Sequence, residues 1–113
     1  MRTNVNPTAA VVPKAHAPAA NTAAIITLAA AAGVRHVVDK IFGGYLATPT
    51  AGSLTIAITV QGTAVSMVLP ITSAGPLVLN CDPPLQGDVN TAITITLAAG
   101  SGTVVGKINA LTR

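Results

Sequence analysis

Ionisable side chains are scarce in this sequence of 113 residues, since Asp, Glu, Lys and Arg together make up 8% of it. An ordinary soluble domain carries about 25% of such residues, and a free monomer needs surface charge to stay in solution. A surface built largely of Ala, Thr, Val and Gly therefore predicts that neighbouring subunits cover part of it. We expect the chain to be one subunit of a larger protein assembly.

Aromatic residues are nearly absent too, because the chain has one Phe, one Tyr and no Trp. A core of this chain must therefore be built from Val, Ile, Leu and Ala. The same shortage weakens the alternative of a host-surface carbohydrate-binding module, since Phe42 and Tyr45 are the only rings that could stack on a sugar. The length fits a single domain.

Groups suited to catalysis are few and badly spaced. Cys81 is the only cysteine, so no internal disulfide and no cysteine-based metal site can form. The histidines, His16 and His36, are distant in sequence, and a spacing of three places His36 and Asp39 on opposite faces of a predicted strand. No serine lies in a nucleophile elbow, and no glycine-rich phosphate loop occurs. We predict no enzymatic activity, no cofactor and no metal.

Three oxygen-bearing side chains follow one another in a predicted loop, namely Asp82, Asp88 and Asn90. A calcium ion takes about six to eight oxygen ligands, and no EF-hand spacing supplies them here. We expect these side chains to bond local backbone in turns instead. Cys81, at the end of an apolar strand, is expected to act as a small buried apolar residue.

The net charge is +3, but the cations are scattered. Nucleic-acid binders usually carry a dense basic stripe with stacking aromatics, so we expect no nucleic-acid partner. Residues 23–34 form an apolar run that is too short for a membrane span, which needs about 20 residues. We expect no membrane partner.

The first part of the chain, residues 1–21, carries Pro7, Pro13 and Pro18 without helix or strand periodicity. Proline fixes its own φ and biases the preceding residue towards extended geometry. We therefore predict an extended N-terminal arm over residues 1–21, ordered by contacts with other chains, and a single domain over residues 22–113.

Period-two alternation characterises the predicted domain. Leu54, Ile56, Ile58 and Val60 share one face of a strand, and the alternation resumes over residues 65–71 after Gln61-Gly62. A short connection that contains glycine between two such runs predicts a β-hairpin. A second hairpin is predicted from the runs 93–97 and 104–110, joined by Gly100-Ser101-Gly102.

Shorter strands are predicted over residues 25–28, 34–41 and 77–79. Gly43-Gly44 is expected to end the second of these, and Asp82-Pro83-Pro84 to break pairing after the third, because proline lacks a donor. A helix over residues 22–33 is the alternative that the alanines allow, but β-branched residues oppose it. The fold class we predict is all-β, an antiparallel, jelly-roll-like sandwich of six to seven short strands.

The densest charge cluster is Arg35, Asp39 and Lys40, and we expect Arg35 and Lys107 to pair with Asp39 within the sheet or across to another subunit. Charge complementarity of this kind gives an interface specificity more than strength. The interface residues that we predict, in the arm and in this cluster, are Arg2, Val5, Pro7, Val11, Val12, Pro13, Lys14, Pro18, Arg35, Asp39, Lys40 and Lys107.

Several segments resemble small β-sandwich virion proteins of tailed bacteriophages: residues 32–41, the hairpin around Gly62, the runs 84–87 and 90–97, and residues 106–109. The likeness spans residues 23–113. Members of that group serve as capsid cement (decoration) proteins or as modules of head and tail fibres. The resemblance implies a virion location after assembly in the host cytoplasm, no enzymatic activity, and partners that are other copies of the chain, as a dimer or trimer, and the major capsid protein or other virion proteins.

Overall fold

The computed structural model describes residues 12–113, apart from the side chain of Asp82. This part of the chain forms two four-stranded sheets in which every pairing of strands is antiparallel. Eight strands occur among the described residues: β1 (Val12–His16), β2 (Ala24–Leu28), β3 (Val37–Tyr45), β4 (Gly52–Val60), β5 (Thr63–Ile71), β6 (Gly75–Gln86), β7 (Ile93–Leu97) and β8 (Gly106–Thr112).

The pairing follows the pattern of one long hairpin that has been rolled up. β1 pairs with β8, β2 with β7, β3 with β6, and β4 with β5. The roll is closed by β3 against β8 and β4 against β7. The first sheet therefore has the order β1-β8-β3-β6 and the second sheet the order β2-β7-β4-β5. An eight-stranded double sheet of this kind is a jelly roll, which confirms the predicted fold class.

The core lies between the sheets and follows the predicted alternation. In β4, Leu54, Ile56 and Ile58 are buried, while the residues between them face outward. Apart from one tyrosine, the buried apolar residues are aliphatic, as the composition predicts: Ala24, Ile26, Leu28, Val38, Ile41, Tyr45, Leu54, Ile56, Ile58, Ile93, Ile95, Leu97, Ile108 and Ala110.

Tyr45 joins the two sheets at one end of the sandwich. Its side chain is 2% exposed, and its hydroxyl donates to the carbonyl of Ala98 at 2.6 Å and accepts from the backbone N–H of Ser53 at 3.3 Å. Burial raises the pKa of this phenol from its usual value, and the hydrogen bond from Ser53 opposes that shift. A buried phenol with both partners satisfied ties β3 to the ends of β4 and β7.

The structure has more strands than the six to seven predicted, because residues 12–16 form β1 and complete the first sheet. This segment was assigned to the arm on its prolines. Pro13 is accommodated because β1 is an edge strand, which leaves one side of its backbone without a ladder. Residues 24–28 form β2, so the helical alternative is wrong there.

The predicted second hairpin is wrong. β7 lies in the second sheet and β8 in the first, so the connection through Gly100-Ser101-Gly102 crosses from one sheet to the other. Ser101 and Gly102 both have positive φ, 72° and 57°, which makes a tight turn but does not dictate strand pairing.

Two predicted strand ends are also wrong. Gly43 and Gly44 lie inside β3, and β6 continues through Asp82-Pro83-Pro84. Pairing is nevertheless interrupted there, because Lys40 pairs with Asn80 while Val38 pairs with Leu85. The residues between them on β6 have no partner on β3, as the missing proline donors require.

Candidate interaction surfaces

The second sheet contains no ionisable side chain, since Asp, Glu, Lys, Arg, His, Tyr and Cys are all absent from β2, β4, β5 and β7. Its outer face is built of Thr, Ser, Ala, Val and Ile, because those residues alternate with the buried aliphatic ones. Two rows cross it in register, Ile25-Thr96-Thr55-Val68 and Thr27-Thr94-Ala57-Ser66. A flat face of this composition can be dehydrated without stripping water from any charge.

Strand β5 is the most exposed part of this sheet. Residues 63–70 are exposed on both faces. Val65, Met67 and Leu69 lie opposite the buried Ile58, Ile56 and Leu54, yet they remain 38%, 37% and 40% exposed. On the outer face of the strand, Val68 is 60% exposed. Apolar exposure along a whole strand is typical of a protein contact surface.

Charges within the described chain lie in the first sheet and in loops. Arg113 holds Asp39 through two hydrogen bonds, Nε to Oδ2 at 2.8 Å and Nη2 to Oδ1 at 2.7 Å. Within one chain Asp39 is therefore paired with Arg113 and not with Arg35 or Lys107, while the predicted pairing across to another subunit stays a prediction. Asp39 is the extra residue of a bulge in β3, where the register against β8 shifts, and the bulge presents its carboxylate to the last residue of the chain.

Asp88 holds the turn of the β4–β5 hairpin. Its Oδ1 accepts from the N–H of Gln61 at 2.9 Å and its Oδ2 from the N–H of Gly62 at 2.7 Å. Gln61 and Gly62 have φ of 51° and 78°, the left-handed pair of a two-residue hairpin turn. The bond from Gly62, then that from Gln61, lowers the pKa of Asp88, and Arg35 adds a smaller effect in the same direction.

Asn90 also bonds backbone, since its Oδ1 accepts from the N–H of Gly33 at 2.6 Å. Asp88 and Asn90 thus bond backbone in turns, but these turns are distant in sequence and are not the local backbone that was predicted. Both oxygens of Asp88 are occupied by amides. Within residues 12–113, without the Asp82 side chain, no group of His, Cys, Asp and Glu is arranged to hold a metal ion.

The two histidines bond backbone at separate places. His16 Nδ1 accepts from the N–H of Ile25 at 2.9 Å, which links β1 to the free edge of β2. His36 Nε2 lies 2.7 Å from the carbonyl oxygen of Ala29. The structure does not bring them together.

Cys81 is half-buried at the border of the core. Burial raises the pKa of its thiol, and the nearby Asp39 adds to that shift, while a backbone hydrogen bond at Leu85 opposes it. A raised pKa leaves little of the nucleophilic thiolate at neutral pH.

The aromatic rings give little surface for stacking on a sugar. Tyr45 is buried, and Phe42 is half-buried with the Lys40 ammonium 5.7 Å from its ring centroid. In the described part of the chain no helix is long and apolar enough to cross a membrane.

The predicted interface residues fall into separate regions. Arg2, Val5, Pro7 and Val11 lie outside the described residues. Val12, Pro13 and Lys14 are exposed on β1, and Pro18 follows in the connection to β2. Arg35 precedes β3, Asp39 and Lys40 lie within it, and Lys107 lies on the neighbouring strand β8.

Sequence reasoning missed the exposed residues of β5. Their alternation is the pattern of a strand with one buried face, and it gives no sign that Val65, Met67 and Leu69 are exposed. A signal was present nonetheless: residues 51–80 contain no charged residue at all. An uncharged stretch longer than one hairpin indicates that a strand at a sheet edge lacks the charges that usually protect it.

Comparisons with known proteins give a match in structure but none in sequence. No protein-family model matches the sequence, and no curated protein matches it. The chain is similar in structure to a chain from a virus-like particle of the extra small virus of the giant freshwater prawn Macrobrachium rosenbergii, with a TM-score of 0.31 and 12% sequence identity. The match covers 98% of this chain and 84% of that one.

Proposed function

We propose that this chain is a non-enzymatic structural subunit of a virus particle, and that its specific role is capsid decoration. The observation that carries the proposal is the second sheet, whose four strands contain no charged residue and whose β5 is apolar and exposed. Surfaces of this kind mark contacts between proteins. The jelly roll, which viral capsid domains share with lectins and cupins, and the likeness to small phage virion proteins support the virion setting.

Decoration would act by cohesion. Copies on the outside of a shell each make modest contacts with the major capsid protein and with one another, and the contacts add because the sites repeat. Binding to the assembled shell and not to its dissociated subunits stabilises the shell by mass action. Residues 1–11 would reach across neighbouring subunits as a tether. No bound ligand and no chemical step are needed for this role.

The copy number in purified particles tests the decoration role. Quantitative mass spectrometry should find this chain in amounts comparable to those of the major capsid protein. A few copies per particle would overturn decoration in favour of a fibre, neck or baseplate module. Absence from the particle would overturn the virion role itself.

The contact surface is tested with shells that lack the protein. Purified protein should bind them and raise the temperature at which they disrupt. Thr96→Lys places a charge in the middle of the outer face of the second sheet and should weaken binding, whereas Thr103→Lys makes the same change in an exposed loop and should not. Equal binding by both variants would refute the role assigned to the sheet.

The tether is tested separately. Deletion of residues 2–11 should weaken shell binding while keeping every described strand, from Val12 onward, in the chain. Urea unfolding of the truncated protein checks that the sandwich remains folded. Unchanged shell binding by the truncated protein would show that residues 1–11 do not act as a tether.

A further inference from the structure

We infer that β5 is the strand through which two copies of this chain pair, edge to edge and antiparallel, about a two-fold axis at Ser66. This inference deepens the proposed function, on which it rests for its biological setting, because it names the first partner of the subunit as a second copy of itself. It joins the two second sheets into one continuous sheet of eight strands.

Three of the four edge strands are protected and β5 is not. β1 carries Lys14 and Pro13, β6 carries three prolines and loses its pairing at the bulge, and β2 is short, with the ring of His16 bonded to the N–H of Ile25. By contrast β5 spans nine residues, has no charge, and pairs with β4 without a register shift. Exposed strands of this kind pair with other strands.

The hydrogen bonds around β4 reveal which backbone groups of β5 face the free edge. The carbonyl of Thr59 accepts from the N–H of Asp88 at 2.8 Å, and that of Ser53 accepts from the N–H of Ala98 at 2.9 Å. Both carbonyls therefore point away from β5. In an antiparallel ladder the residue opposite points away as well, and those residues are Ala64 and Pro70.

Alternation along the strand then fixes the pairing register. The backbone groups of Ala64, Ser66, Val68 and Pro70 face the free edge, but Pro70 has no N–H to donate. The three residues that present both an N–H and a carbonyl to the free edge, Ala64, Ser66 and Val68, are centred on Ser66. An axis at Ser66 sets Ala64 opposite Val68 of the partner subunit, and every edge N–H finds a carbonyl. An axis at Met67 would instead set Ala64 opposite Pro70 of the partner subunit, where a proline ring, in place of an N–H, faces the carbonyl of Ala64 within the ladder.

Side chains and charge also favour a second copy over a foreign strand. In this register Val65 lies opposite Met67 of the partner subunit. The apolar side chains that are exposed on β5 of one chain therefore contact the same side chains of the other. A two-fold contact must be self-complementary, and an uncharged strand meets its copy without like-charge repulsion although each chain carries +3 overall.

The register is tested by cross-linking. Residues that exchange hydrogen bonds in an antiparallel pair have Cα atoms about 5.5 Å apart, within the span of a disulfide. Ser66→Cys in a Cys81→Ser background should therefore give a covalent dimer on mild oxidation. Thr27→Cys in the same background puts a thiol on the same face but at the other edge, and it should form no disulfide-linked dimer. Equal cross-linking of both would overturn the assigned register.

The contact itself is tested by sedimentation equilibrium of the full chain. Ser66→Lys places two ammonium groups at the axis and should raise the dimer dissociation constant at least about tenfold, while Thr27→Lys should leave it unchanged. Far-UV circular dichroism identifies any variant that has failed to fold. The intact chain remaining monomeric, or Ser66→Lys leaving the dimer unaltered, would overturn the inference.

The two proposals fail in different ways. A β5 dimer that does not bind shells overturns the proposed function and leaves this inference standing. If the chain is monomeric in solution and still binds shells, and if Ser66→Lys does not alter that binding, this inference alone is overturned. Loss of the dimer after deletion of residues 2–11 would show that the dimer forms through this segment and not through two β5 strands, and would overturn the inference.

Discussion

Asp88 follows β6 in the chain, yet it holds the turn of the β4–β5 hairpin. The backbone N–H groups of Gln61 and Gly62 both point at its carboxylate because the left-handed turn aims consecutive amides to one side. The apex of the hairpin is thereby anchored to the connection between β6 and β7. The position of β5 depends on this anchor, since β4 is its one partner strand in the second sheet.

Asp88 should contribute stability that depends on pH. Its pKa in the folded protein is lowered from its usual value, so the contribution is full above the unfolded-state pKa of about 3.9 and is lost as pH falls through the folded value. Urea unfolding from about pH 7 to about pH 2 should show the intact protein losing more stability than Asp88→Asn. The two should differ most at neutral pH. Parallel curves for both proteins would contradict this role.

At this scale the sequence predicted kinds of contact better than partners. Asp and Asn in a predicted loop indicated bonds to backbone in turns, and Asp88 and Asn90 make such bonds, although to turns distant in sequence instead of local ones. The partner predicted for Asp39 within the chain was wrong, because the bulge that presents Asp39 to Arg113 depends on the register between β3 and β8. Such a register is a property of two strands and cannot be inferred from one.

Among the strands, β3 contains two adjacent glycines, Gly43 and Gly44, and lies between β8 and β6 in the first sheet. A Cβ at Gly43 would meet the carbonyl oxygen of Lys107, and one at Gly44 would meet that of Gly75. The two glycines therefore let neighbouring strands approach β3 on both sides. The sequence interpretation took them as a strand end, although glycine inside a strand also marks such a close approach.

Gly43→Ala should destabilise the fold by about 1–3 kcal/mol, the range for overpacking a tight interior. Gly33→Ala is the matched control, since a Cβ there meets nothing within 4 Å and the cost is that of its left-handed φ of 73°, about 1 kcal/mol. Urea unfolding of both variants measures the difference. A smaller loss at Gly43 than at Gly33 would show that the strands around β3 can separate at little cost.

Alternation in the sequence located most strands and failed on how they pair. The runs at 54–60, 65–71 and 93–97 lie within β4, β5 and β7. Pairing followed only for β4 and β5, where a two-residue turn fixes the register. The period of two tells which residues share a face but not which strand lies alongside, so the sheet-crossing connection between β7 and β8 was read as a hairpin.

At the scale of the whole molecule, the charges on the described strands are confined to one of the two sheets. Lys14, Asp39, Lys40 and Lys107 lie on strands of the first sheet, whereas the strands of the second sheet are neutral. Ions in solution therefore act mainly on one half of the sandwich. The sequence established that charge was scarce, but only the rolled-up topology places the neutral strands side by side.

Association through the second sheet should depend little on salt. The dimer dissociation constant should change by less than about twofold between about 50 mM and about 500 mM NaCl, because no charge pair lies in the contact. Sulfate should strengthen the association, since it favours burial of apolar surface. Sedimentation equilibrium across both salts measures this. A steep weakening with NaCl would place the contact on the charged sheet instead.

The pairing of β1 with β8 sets Val12 directly opposite Thr112. The start of β1 and the end of β8 thus lie side by side, at the side of the sandwich that is opposite to β5. In a dimer paired through β5, these two sides would lie at the two ends that are farthest from the dimer contact. A fluorescent tag or peptide fused after Arg113 would lie at those ends. It would detect contacts with further molecules without disturbing the contact between the two β5 strands.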